Sequence, residues 1–332
     1  MRNKFFFLTF GVLISVFFLL SPLSHADAQP SLSWNEWVQQ LRQEALGQGI
    51  RPEVFDEAFK NVKAPDRQVL RFDKSQPEKR ITFLKYRDTR ADAFRIKLGR
   101  QEYRKYHDML SEIGRQFGVS PCFIVSLWGL ETSYGRFMGK FPVIQSLATL
   151  AYDTRRSEFF RKQLLYALQI LNGNHVDLKD FKGEWAGASG QPQFLPSSWH
   201  HYAVDYNRDG KKDIWRTHAD IFASIANYLV QHGWKTGQPW AIPVMLPANF
   251  DETLINSKNA EAISKWKSMG VHTIQGRPWP EDENLTAELI RPLGGPDMLI
   301  FNNFNVLMKW NHSNYYAGTV GWMAEQVCGR SL

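Results

Sequence analysis

Cysteine is nearly missing from this chain: Cys122 and Cys328 are the two in 332 residues. That excludes a disulfide-dense small scaffold. Neither cysteine has Cys-X-X-Cys or metal-ligand spacing, which excludes the usual redox and zinc motifs. In an oxidising compartment the two could pair. Cys122 falls within an apolar helix, so a free core thiol is the equal alternative. No run of Lys and Arg is interleaved with aromatics, which argues against nucleic acid as a partner. There is no internal repeat and no low-complexity tract. The charge is only mildly one-sided, 40 Lys+Arg against 33 Asp+Glu, a formal +7. In an exported protein such an excess favours polyanionic wall or envelope surfaces; ordinary surface solvation explains it equally well.

The first residues carry an address. Arg2 and Lys4 form a positive n-region, Phe5–Leu20 an apolar h-region, and Ser24–Ala26 or Ala26–Ala28 a small-x-small cleavage site. Residues 1–28 are therefore expected to be a signal peptide rather than a membrane anchor, leaving a soluble periplasmic protein. No Cys stands near that site, so a lipid anchor on a new N-terminal Cys is excluded. If cleavage follows Ala26, loss of Arg2 and Lys4 leaves 38 against 33, or +5.

The remaining chain is long enough for more than one lobe. Residues 29–116 read as a helical lobe: Trp34, Trp37, Val38 and Leu41 keep helical spacing, as do Val54, Phe55 and Phe59 after Pro52. Asp66–Lys79 reads as a loop or extended connector. Residues 117–236 are mainly helical and hold the densest motifs. Across 237–310, Trp240–Leu246, Glu288–Leu293 and Met298–Trp310 are rich in β-branched and aromatic residues. They read as strands of a small sheet, with a helix at Ala260–Met269. Residues 311–332 are expected to return to the core through a helix over Gly318–Val327.

The chain is organised around Ser120–Gly135. Ser120 is a good N-cap and Pro121 suits the first helical position. Phe123, Val125, Leu127, Trp128 and Leu130 leave the helix apolar on nearly every side, which predicts burial. Glu131 follows about three turns in, beside Trp128 and Tyr134. Desolvation should raise its pKa, which suits a general acid near neutral pH. A Glu merely paired with Lys or Arg at a helix end is the competing reading.

Gly183–Tyr202 is dense in Gly, Ala, Ser and Pro, a close-packed turn whose backbone can approach a ligand. Gln191 and Gln193 offer amides; Trp185, Phe194 and Trp199 offer flat apolar faces. That combination suits a pyranose; a helix-capping loop with its own packed aromatics is the alternative. Asp205–Asp213 matches the first half of an EF-hand loop. Asp205, Asn207 and Asp209 stand at positions 1, 3 and 5, Gly210 at 6, the Lys211 carbonyl at 7 and Asp213 at 9. Position 12 is Arg216 rather than Glu, with Asp220 as the candidate replacement. A structural Ca2+ site or a metal-free Asx-rich turn would both use these residues.

These motifs together resemble the lytic murein transglycosylase B family. The resemblance runs through E-T-S-Y-G at Glu131–Gly135 and W-A-G-A-S-G-Q-P-Q-F-L-P-S-S at Trp185–Ser198. It continues through Y-A-V-D-Y-N-R-D-G-K-K-D-I-W at Tyr202–Trp215, Ser224–Trp234 and Asn311–Ala317. It departs at Ser189 and Leu195, where the family pattern has methionines, and by one extra residue between Trp215 and Asp220. The resemblance implies a mainly α (α+β) fold with a lysozyme-like helical core, Glu131 as the catalytic acid and Ca2+ at 205–213. It also implies Gln193 and Tyr228 in the glycan cleft, with Tyr315 or Tyr316 as a wall. Peptidoglycan glycan strands would be the substrate, wall-building or wall-remodelling proteins candidate partners, and the protein a monomer. No second carboxylate is forced toward Glu131 by any motif. A lone Glu is what a reaction giving 1,6-anhydro ends requires, whereas hydrolysis needs a second acid, Glu184 being the first candidate.

Overall fold

The computed structural model describes residues 32–74, 81–153 and 155–329. The expected signal peptide, residues 1–28, lies outside them. Among the described residues no helix is long and apolar enough to cross a membrane.

Six helices come first: α1 (Trp34–Gly47), α2 (Pro52–Phe59), α3 (Arg67–Lys74), α4 (Phe83–Arg90), α5 (Ala93–Lys105) and α6 (His107–Phe117). Local chemistry sets their starts. Ser33 and Glu36 close a capping box on α1, and Asp92 caps α5 through the Arg95 N–H at 2.7 Å. The stretch expected as a connector from Asp66 is helical over α3. The Asp66 carboxylate caps it, accepting from the Gln68 N–H at 2.7 Å.

The motif region contributes α7 (Pro121–Thr132), β1 (Phe141–Pro142), α8 (Val143–Tyr152), α9 (Ser157–Asn172), β2 (Lys182–Gly183), α10 (Pro196–Tyr202) and α11 (His218–Gln231). Every residue of α7 from Cys122 to Gly129 is buried, as an all-round apolar helix must be. It packs against α5, α6 and α11, and against the last helix, α14 (Asn314–Cys328). Ser120 holds the N-cap position, but its hydroxyl makes no capping bond; Pro121 sets the start. Cys122 and Cys328 are joined as a disulfide, Cα atoms 5.9 Å apart, which pins the first turn of α7 to the last turn of α14.

Between α11 and α14 lie β3 (Ala241–Met245), β4 (Ala260–Ala262), α12 (Ile263–Ser268), β5 (His272–Thr273), β6 (Thr286–Ile290), β7 (Asp297–Ile300) and α13 (Asn302–Trp310). Five strands form one antiparallel sheet in the order β4-β6-β7-β3-β5. The sheet has its own apolar cluster around Ile263, Trp266, Leu289, Leu299 and Phe301. Two segments differ from the sequence reading. Ala260–Met269 starts as a strand before turning helical, and Met298–Trp310 becomes helical at Asn302. From there Phe304, Val306 and Leu307 return to the main core, which runs from Trp37 to Val327. Arg277 fastens the sheet to α14 through both guanidinium nitrogens on buried Glu325 (2.9 and 2.7 Å), and Trp240 donates to the same carboxylate at 3.1 Å.

Candidate active site

Glu131 occupies the last turn of α7, where the helix leaves the core. Three things fix that turn. Thr132 Oγ1 donates to the Gln191 carbonyl at 2.9 Å, Trp128 Nε1 donates to Gln191 Oε1 at 2.6 Å, and Gln191 Nε2 donates to the Trp215 carbonyl at 2.9 Å. Gln191, expected as a sugar-binding amide, is thus consumed in joining α7 to the 183–202 turn. Ser133 then takes a left-handed backbone, φ 49°, and ends the helix. Buried Arg95 holds Ser133 Oγ at 2.9 Å. Trp128 and Tyr134, expected beside the acid, face elsewhere; the Tyr134 hydroxyl donates to the Arg95 carbonyl at 2.8 Å.

The partners of Glu131 come from the far end of the chain. Trp310 Nε1 donates to its Oε1 at 2.8 Å, and the Tyr316 hydroxyl donates to the same oxygen. No donor among the described residues reaches Oε2. Burial raises the carboxyl from its ordinary 4.5 to about 7, with the Tyr316 and Trp310 hydrogen bonds and the Arg90 charge pulling the other way. The result is an acid half-protonated near neutral pH, with one oxygen clamped and the other available. A small cleft opens over it, lined by Tyr86, Arg90, Leu130, Glu131, Asn311, Tyr316 and Thr319.

The 183–194 turn adjoins the end of α7 through Gln191, and the Glu184 charge reaches Glu131. The pairing of β1 with β2 sets Phe141 against Gly183, and Gly139 approaches that strand so closely that a Cβ would lie 2.1 Å from the Gly183 carbonyl carbon. Only glycine fits there. Gln193 adopts φ 53° and donates through Nε2 to the Gly190 and Met138 carbonyls (2.8 and 3.2 Å), while its buried Oε1 has no partner. Phe194 and Tyr228 lie behind the site. Both rings pack against Trp310, centroids 5.4 and 4.6 Å away, and the Tyr228 hydroxyl donates to the Lys309 carbonyl at 2.7 Å. They hold the tryptophan that holds Glu131. Trp185 is half-buried against the main core. Of the two tyrosines considered as a wall, Tyr316 contacts the acid; Tyr315 packs edge-on against Phe83 and Tyr86. Trp310, Tyr86 and Arg90 are absent from the sequence reading as site residues, since no local spacing ties positions about 40 to 180 residues away to Glu131.

The 205–213 loop stands apart from this cleft. Asp205 accepts the Asp209 and Gly210 N–H groups (3.1 and 2.9 Å), Asn207 and Asp209 bond each other, and Asp209 accepts the Lys211 N–H at 2.9 Å. Asp213 accepts the Trp215 and Arg216 N–H groups, and fully buried Asp220 braces the loop by accepting from Tyr206 and Asp213 at 2.9 Å each. Arg216 turns outward to Asp180. Among the described residues no three His, Cys, Asp or Glu side chains converge as a metal-holding group. The donor chemistry is nonetheless all oxygen, the set a hard cation takes.

A desolvated, clamped carboxylic acid above a cleft in a helical core is the arrangement of a general acid–base site. The chain matches the Transglycosylase SLT domain over residues 33–325 and belongs to that family. It is 32% identical over 254 residues to the membrane-bound lytic murein transglycosylase B of Escherichia coli (strain K12), covering 74% of this chain and 67% of that protein. Among solved structures it resembles Pseudomonas aeruginosa SltB3 in complex with NAG-NAM-pentapeptide, at 41% identity and a TM-score of 0.86 over 90% of this chain and 81% of that one. It also resembles Escherichia coli Slt35 in complex with calcium, at 29% identity and a TM-score of 0.75 over 88% of this chain and 92% of that one. The expected mainly helical, lysozyme-like fold is the one observed.

Proposed function

We propose that this chain is a lytic transglycosylase of peptidoglycan in which Glu131 serves in turn as acid and base. The observation that carries the mechanism is the asymmetric carboxyl: Oε1 held by Tyr316 and Trp310, Oε2 free toward the cleft, and an acid raised to about 7. Protonated Glu131 gives its proton to the glycosidic oxygen as that oxygen leaves C1 of N-acetylmuramic acid. The resulting carboxylate then takes the proton of the same sugar's C6 hydroxyl, and O6 closes on C1. The products are a free 4-hydroxyl and a 1,6-anhydro end, with no water consumed. Holding O6 within the same ring supplies the nucleophile at high effective concentration, so no second residue need activate water. Trp185 and Gln193, on the 183–194 turn, are the candidate glycan contacts.

A specific feature favours hydrolysis as a second reading. The Glu184 carboxylate has no hydrogen bond or ion pair among the described residues. Burial raises its pKa against the opposing charge of Lys140, and its own charge raises that of Glu131. Mass spectrometry of muropeptides released by the wild type, Glu131→Gln and Glu184→Gln separates the two. Anhydro ends lost only with Glu131→Gln support the transglycosylase; reducing ends lost with either variant establish the hydrolase.

A structural Ca2+ would be held by Asp205, Asn207, Asp209, Asp213 and the Lys211 carbonyl, with Asp220 beneath, and would stiffen the loop without entering the reaction. A rise in Tm on adding calcium that Asp209→Ala abolishes supports this; an unchanged Tm refutes it. Peptidoglycan as substrate and the expected signal peptide both point to the periplasm.

A further inference from the structure

We propose that the outer face of α5 is a docking surface for a membrane rich in anionic headgroups. No residue of α5 lines the cleft, and the proposal does not depend on the chemistry assigned to Glu131. The helical period divides α5 into two arcs. Arg95, Leu98 and Gly99 are buried where the helix packs on α7 and α14. The exposed arc carries Phe94, Lys97, Arg100, Arg104 and Lys105, and no carboxylate. The acids of this stretch are engaged elsewhere: Asp92 caps the helix through the Arg95 N–H, and half-buried Glu102 faces Lys105 at 3.7 Å. Arg100 Nε donates to the Gln326 carbonyl at 2.8 Å, which fixes the side chain without neutralising it. Lys97 and Arg104 have no carboxylate partner among the described residues. Phe94, 66% exposed, is the most exposed large apolar side chain among them.

Such a face is costly in water, because like charges repel along one arc and an aromatic ring lies in solvent. A surface that is both anionic and apolar beneath relieves both costs. Lys97, Arg100 and Arg104 spread over about 10 Å of the helix, so they reach several headgroups together. Their long apolar stems can lie along the surface while the charged ends meet phosphates. Phe94 stands at the N-terminal end of the same arc, where its ring can enter the boundary between headgroups and acyl chains. A soluble or wall-borne polyanion would answer the charges but leaves the ring without a comparable apolar medium. Charge and ring together therefore select the lipid surface.

The test is co-sedimentation of the protein, without its expected signal peptide, with two kinds of vesicle. One is phosphatidylcholine alone, the other equal parts of phosphatidylcholine and phosphatidylglycerol. The wild type should bind only the second kind, and less tightly as salt is raised. The double variant Lys97→Gln, Arg104→Gln should bind about 25-fold more weakly, at about fivefold for each cation removed. Phe94→Ser should lose about fivefold. The double variant Lys235→Gln, Lys258→Gln removes the same charge from exposed positions outside α5 and should match the wild type. A Tm equal to that of the wild type shows that each variant is folded. Equal binding of the wild type to both vesicles, or to neither, overturns the proposal. So does an equal loss in the two double variants, which would assign the effect to net charge rather than to this face. Purified peptidoglycan run alongside identifies the rival partner: if the α5 double variant loses the wall but keeps the anionic vesicles, the face reads a wall polyanion and the lipid assignment falls.

Discussion

Replacing Glu131 by Gln should make the protein more stable at neutral and alkaline pH while abolishing turnover. The carboxyl titrates at about 7 in the folded chain against an ordinary 4.5, chiefly because burial penalises the charged form. A raised carboxylate pKa means that the native state binds the proton more tightly than the unfolded state. Its stabilising contribution is therefore complete below about pH 4.5 and is lost as pH climbs through 7. At about 1.4 kcal/mol per pH unit, the ionised side chain costs about 3 kcal/mol above pH 8. Gln keeps an oxygen for Trp310 and Tyr316 but never ionises, so it imitates the protonated acid. The variant and the wild type should unfold alike near pH 4.5 and diverge as pH rises. At pH 8 the difference corresponds to about 5 °C in Tm for a chain of this size. Urea unfolding from pH 4.5 to 8.5 reads it directly. A constant gap, or a variant less stable at pH 8, would refute the burial account of Glu131.

Two further perturbations probe the scaffold around the acid. Tyr316→Phe removes a donor to the carboxylate, so the Glu131 pKa should rise. The basic limb of the kcat/KM profile should move up from near 7 by about one pH unit; a limb that stays or moves down contradicts the assigned hydrogen bond. The double variant Cys122→Ser, Cys328→Ser should lose about 2–5 kcal/mol of stability by urea unfolding. Equal stability of the oxidised wild type and this variant would show that the disulfide contributes nothing.

Much of the fold was legible because local signals and burial agreed. The all-round apolar run of α7, the Pro121 start, and the β-branched stretch around Val244 each act within a few residues. Helix and strand were confused where a short apolar run serves both periods, as at Met298–Trp310, whose helical half is turned back to the core by Phe304 and Leu307. The cysteine pair was undecidable for the same reason of scale. A separation of 206 residues closes to 5.9 Å only because α7 and α14 pack side by side.

The sequence by itself pointed to one carboxylate where ionisation is costly, since Glu131 ends an apolar helix, and left a paired Glu at a helix end as the alternative. Tertiary structure decided what that carboxylate can do. It brought Trp310 and Tyr316 onto one oxygen, turned Gln191 from a ligand contact into a strut, set Phe194 and Tyr228 behind the site, and carried Arg90 into the cleft. Burial follows from composition along one helix. Hydrogen bonds are short-ranged and directional, and their partners here are fixed only when distant segments meet.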